Sequence, residues 1–203
     1  MMKKPLTKGI IPLLLGTLLL SGCGVQASQA ASGSGSSTQS TQQQTASAVK
    51  AESSPALIQK AFGISVDAIT PETAETGNYQ VEFYPVSDGK IVISRSDTDI
   101  PEFLYYFKND NSTEEPQEYT YPDTIASDAK NFLSQVLDVS ISKDVTGIYG
   151  YQNRVGVLLQ ADDGSYFHVQ FMPNSSTAIG YQHFDTLKSA NTFYERQSAK
   201  KLA

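Results

Sequence analysis

The chain has a single cysteine, no tryptophan, two histidines and a shortage of cations. With Cys23 as the one thiol in 203 residues, no disulfide can close within the chain and no thiolate cluster can hold zinc. His168 and His183 are the whole imidazole supply, and no His-Glu-x-x-His spacing of a metalloprotease occurs. Fifteen basic residues stand against 21 acidic ones, a formal net charge of -6. That balance argues against nucleic acid as a partner, because a phosphate backbone needs a basic face. It argues equally against electrostatic attraction to anionic lipid. Long apolar runs are absent too. The longest, Gly9 to Leu20 (GIIPLLLGTLLL), has twelve residues, whereas a helix crossing a bilayer needs roughly 20. Gly33-Ser34-Gly35 lies in a Ser/Gln-rich stretch and is spacer, not a phosphate-cradling loop.

What is present begins at the N-terminus. Lys3, Lys4 and Lys8 precede the apolar run, the pattern of a secretory signal peptide over residues 1-22. Leu20-Ser21-Gly22-Cys23 follows, and it resembles the lipobox of bacterial lipoproteins: an aliphatic residue, two small residues, then cysteine. The resemblance covers the first 23 residues only. It implies cleavage between Gly22 and Cys23 and fatty acyl chains, palmitate among them, on Cys23. It also implies an exported lipoprotein of the bacterial cell envelope, held on the extracytoplasmic side of the cell membrane. Two or more acyl chains anchor stably where one would not, at about 0.8 kcal/mol per buried CH2. Loss of Lys3, Lys4 and Lys8 with the leader leaves twelve basic residues against 21 acidic, so the mature chain carries -9.

Residues 23-54 hold the lipid cysteine and a Ser/Thr/Gln-rich linker (SGSGSSTQSTQQQTASA) with no aromatic residue and no charge before Lys50. Such a stretch buries too little to offset its ordering entropy and is expected to be disordered. As a tether it would span roughly 30 Å on average.

From Pro55 the composition changes. Leu57, Ile58, Ala61 and Phe62 share a helical face, with Ser53 or Ser54 as cap and Gly63 as stop. Tyr79 to Val86 alternates as a half-buried strand, Asp88-Gly89 reads as a hairpin turn, and Lys90 to Arg95 and Phe103 to Phe107 read as further strands. The order then recurs. Asp123 to about Val139 forms an amphipathic helix through Ile125, Ala129, Phe132, Leu133, Val136 and Leu137. Strands follow at Val145 to Tyr151, around Val155 to Leu159, at Tyr166 to Met172 and at Ala178 to Phe184, with Asp163-Gly164 as a turn. A shift of 75 pairs the two Asp-Gly turns, and a shift of 76 pairs Val81 with Val157 and Phe83 with Leu159.

The expected fold class is therefore α+β: a tandem repeat of a helix followed by an antiparallel three- to four-stranded sheet, after a disordered linker. Residues 55-118 form the first module, and residues 119-203 form the second with a C-terminal helical tail. Helix-then-strands in both halves resembles PepSY-type modules, although the turn Pro173 to Ala178 (PNSSTA) departs from that family's Asp and Thr-Gly pattern. The likeness implies regulation or inhibition of an extracytoplasmic protease. Tandem β-lactamase-inhibitor-like modules share the repeat length and are a rival for the fold.

No residue set compels catalysis. Ser-x-x-Lys occurs at Ser47, Ser87, Ser127, Ser140 and Ser198, in unrelated contexts and without the companion motifs of penicillin-interacting enzymes. Asp97, Asp99 and Glu102, or Asp110, Asn111 and Glu114, offer oxygen ligands for calcium without EF-hand spacing and read as solvated loop acids. His168 and His183 read as partly exposed strand residues. Tyr105-Tyr106, Tyr119 with Tyr121, and Tyr149 with Tyr151 suit either sheet packing or a stacking surface. The expectation is a non-enzymatic binding or regulatory module with no catalytic residue, metal or cofactor. Its partners are the membrane through Cys23 and an envelope protein or polymer. A cell-envelope hydrolase is the alternative.

Overall fold

A computed structural model describes residues 52-96, 100-109, 114 and 116-203. The expected signal peptide, Cys23 and the expected linker as far as residue 51 lie outside the described residues.

Helix α1 spans Ser54–Phe62 and α2 spans Ile125–Leu137. Both follow from their apolar spacing. Pro55 stands in the first turn of α1, and Gly63 ends it in the left-handed region at φ 69°. In α2, Ile125, Ala129, Phe132, Leu133 and Val136 are buried, and Asp138 closes the helix at φ 55°. Between and after the helices lie strands β1 (Glu72–Thr76), β2 (Tyr79–Val86), β3 (Gly89–Arg95), β4 (Phe103–Lys108), β5 (Gly147–Tyr151), β6 (Arg154–Gln160), β7 (Tyr166–Phe171) and β8 (Ala178–Phe184). Helix α3 (Leu187–Arg196) and the two-residue strand β9 (Lys200–Lys201) complete the chain.

The strands form one antiparallel sheet of nine, in the order β1-β2-β3-β4-β8-β7-β6-β5-β9. The expectation of two modules, each with its own small sheet, is thereby corrected. β4 pairs with β8 through Phe103↔Gln182, Leu104↔Tyr181 and Tyr105↔Gly180, and this seam fuses the strands of both halves. A Cβ on Gly180 would lie 2.2 Å from the Leu104 carbonyl oxygen, so the seam closes only over glycine. His183 N–H adds a bond to Glu102 O at 2.7 Å. A four-stranded half-sheet would end at a hydrophobic edge; joining the edges satisfies their backbone groups and merges the cores.

One core results. Leu57 and Ile58 of α1 and the apolar face of α2 cover Tyr84, Ile91, Ile93, Leu104, Val155, Val157, Phe167, Val169 and Tyr181. The helices also meet each other, where Phe62 packs on Phe132 with ring centroids 6.5 Å apart. The opposite sheet face is covered by α3 over β7 and β8, where Ala190 and Tyr194 join Tyr151, Leu158 and Phe184. The C-terminal helix is therefore a structural layer and not a tail. Thr186 Oγ1 caps it by accepting from Ser189 N–H at 3.2 Å.

Turn chemistry differs in detail from the sequence reading. The β2–β3 hairpin turns on Ser87-Asp88, since Val86 pairs with Gly89. Asp163-Gly164 lies in the longer connection between the paired residues Gln160 and Tyr166, with Gly164 at φ 96°.

Candidate functional site

Two polar constellations stand out. The first is buried beneath α3. His168 sits mid-strand with its ring fully buried, which corrects its reading as partly exposed. Gly156 makes room: a Cβ there would fall 2.1 Å from His168 Cε1. Gln170 Nε2 donates to the Tyr151 oxygen and, at 3.3 Å, to the Tyr105 oxygen. The Tyr151 hydroxyl is then free to donate to His168 Nε2 at 2.7 Å, which leaves Nδ1 protonated and donating to Tyr194 Oη. Burial lowers the His168 pKa to about 3 and raises those of Tyr151 and Tyr194 well above 10. A neutral, doubly bonded imidazole sealed from solvent holds strands to helix. It cannot exchange protons with a substrate at neutral pH.

The second constellation is a groove of about 930 Å3 where α1, the C-terminal end of α2 and the β6–β7 connection converge. Leu57, Val136, Leu137 and Ala161 give it an apolar floor, and Ile100 and Pro101 close one side. Its rim is acidic. Asp138 ends α2, so its carboxylate stands where the helix macrodipole is already negative. Asp162 Oδ1 accepts from Ser142 N–H at 3.0 Å and from Ser142 Oγ at 2.6 Å. Asp163 Oδ1 accepts from Ser165 N–H at 2.8 Å and Oγ at 2.7 Å. These bonds favour the charged forms and hold both carboxyls below the usual range. Lys60, also on the rim, is paired with Glu52 at 2.6 Å, the one ion pair among the described residues. Lys143 donates to Gln160 Oε1 at 3.0 Å, and Lys130 to the Lys143 carbonyl at 2.7 Å. A smaller hollow of about 370 Å3 continues the groove along α2 past Ser134.

Other sequence candidates fall elsewhere. Gly22 and Cys23 lie outside the described residues, as do Ser47, Asp97, Asp99, Asp110 and Asn111. Glu102 accepts from Ser96 Oγ at 3.2 Å, and Glu114 is exposed. Ser127 Oγ donates to the Thr124 carbonyl at 2.7 Å, and among the described residues no serine of the Ser-x-x-Lys set bonds its lysine. Tyr105, Tyr106 and Tyr151 are buried and Tyr149 stacks on Tyr194 at 3.7 Å, so these tyrosines pack the sheet. Tyr119 donates to the Gln152 carbonyl at 2.8 Å. His183 Nδ1 is buried without a partner, its ring 4.9 Å from that of Phe167. Among the described residues no three His, Cys, Asp or Glu side chains are placed to hold a metal, and no helix is long and apolar enough to cross a membrane.

No protein family, curated protein or solved structure matches this chain. Sequence reasoning missed the groove because its acids come from two distant turns, Asp138 and Asp162-Asp163, that meet only in the fold.

Proposed function

We propose that this chain is an extracytoplasmic lipoprotein, held at the cell membrane by lipid on Cys23, whose folded part binds an envelope partner through the acid-rimmed groove. The observation that carries the binding half is the groove itself: an apolar floor beneath carboxylates that are held ionised. A general acid must carry its proton near neutral pH. Asp162 and Asp163 are shifted the wrong way for a general acid, and His168 is sealed. The anchoring half rests on Leu20-Ser21-Gly22-Cys23 behind a basic start and a short apolar run.

A photo-crosslinking residue at Ser140, on the groove, tests the reading in intact bacteria carrying the full chain. The same residue at Ser87, on the β2–β3 turn, is the control. A discrete adduct formed from position 140, absent from position 87 and lost when Cys23→Ser frees the chain from the membrane, is the expected result. Adducts of equal yield from both positions would contradict a groove-directed partner.

A further inference from the structure

We propose that the groove takes a peptide segment of a partner protein in which apolar side chains are flanked by lysine or arginine. This rests on the reading of the groove as the binding surface and adds the chemistry of what enters it. The floor asks for apolar side chains: Leu57, Val136 and Ala161 are buried at its base, while Leu137 and Val139 are left half-exposed. The rim asks for cations. Asp138, Asp162 and Asp163 are exposed and take part in no ion pair among the described residues.

None of the nearby lysines forms an ion pair with these three carboxylates among the described residues. Lys60 pairs with Glu52, while Lys143 and Lys130 direct their ammonium groups to Gln160 Oε1 and to the Lys143 carbonyl, and Lys143 reaches Asp162 only as a through-space charge. The groove lining carries Glu52, Asp138, Asp162 and Asp163 against Lys60 alone, and the C-terminal end of α2 adds to that negative excess. Each of the Asp162 and Asp163 carboxylates uses one oxygen, Oδ1, on a nearby serine, and neither Oδ2 accepts a hydrogen bond among the described residues. An anionic glycopolymer would meet like charge here, and an uncharged chain would leave the rim unanswered. A second copy of this chain brings a net charge of the same sign.

The test uses the full chain in detergent and a fluorescein-labelled peptide with two central leucines flanked on each side by two lysines. Fluorescence anisotropy should show saturable binding that weakens as salt is added. Peptides with glutamates for the lysines, or serines for the leucines, should not bind. The combined variant Asp138→Asn, Asp162→Asn, Asp163→Asn keeps shape, hydrogen-bond acceptors and the left-handed cap at position 138, and should bind about tenfold more weakly or worse. Its melting temperature, close to that of the wild type, separates loss of binding from loss of fold. Phe107→Ser, on β4, should bind the lysine peptide like the wild type. No binding of the lysine peptide, equal binding by the triple variant, or equal binding of the glutamate peptide would each overturn the proposal. So would a stable dimer that buries the groove, or binding that appears only when residues 24-50 are deleted. If the peptide fails while the Ser140 crosslink in cells persists, the groove binds a partner of other chemistry. If both fail, the binding reading falls with it.

Discussion

His168 shows how one buried titratable residue couples fold to pH. Its folded pKa, lowered to about 3, lies below the ordinary value of 6.5. Between those values the unfolded chain holds the extra proton, so stability falls as pH drops from about 6.5 toward 3. The full coupling is a matter of several kcal/mol, at about 1.4 kcal/mol per pKa unit. The buried tyrosines act at the other limit. Their raised pKa values make stability fall as pH rises above 10, where the unfolded chain ionises first. NMR titration should find the His168 ring neutral, with Nδ1 protonated, down to the pH at which the protein unfolds, and His168→Gln should flatten the acid slope. A ring that titrates near 6.5 in the folded protein would contradict the sealed network. Gly156 is tested separately. A methyl at that position collides with the imidazole at 2.1 Å, so Gly156→Ala should cost about 1–3 kcal/mol in chemical denaturation. Alternation along β7 puts His168 on the face opposite Phe167, Val169 and Phe171. Its burial was illegible because that face looks solvent-exposed until α3 folds over it.

At the scale of elements, α1 and α2 and the strands from β2 to β8 were legible, because periodicity and caps are local signals. β1 was not. Its residues, Glu72 to Thr76, are all exposed and carry no alternation, and the strand exists because a tight turn with Gly77 at φ 62° folds it back on β2. β9 is two lysines held by Tyr149 and Gly150. The β4–β8 seam was equally hidden, since pairing between strands so distant in sequence leaves no local mark. It makes a direct prediction. Leu104 is fully buried and pairs with Tyr181, so Leu104→Ala should cost about 2–5 kcal/mol and lower the single unfolding transition. A biphasic melt, with only the strands β1 to β4 lost first, would instead indicate two separable sheets.

For the whole molecule, the single sheet sets cooperativity. α1 and α2 pack together over one core, so truncating Phe62 in α1 should lower hydrogen-exchange protection in β5 to β8 as well as in β2 to β4. Protection lost in the first half alone would contradict a shared core. Function at this scale joins two parts that the sequence reveals unequally. The proposed anchor rests on a local motif, Leu20 to Cys23. The groove is written nowhere locally and arises where two turns meet. We propose a chain tied to a membrane through lipid on Cys23, with this groove turned to envelope partners. The most direct test is metabolic labelling with an alkyne fatty acid in bacteria expressing the full chain, followed by membrane fractionation. The wild type should carry the label and sediment with membranes, while Cys23→Ser should carry none and lose the membrane association. Equal labelling of the two, or an unlabelled wild type, would contradict the account.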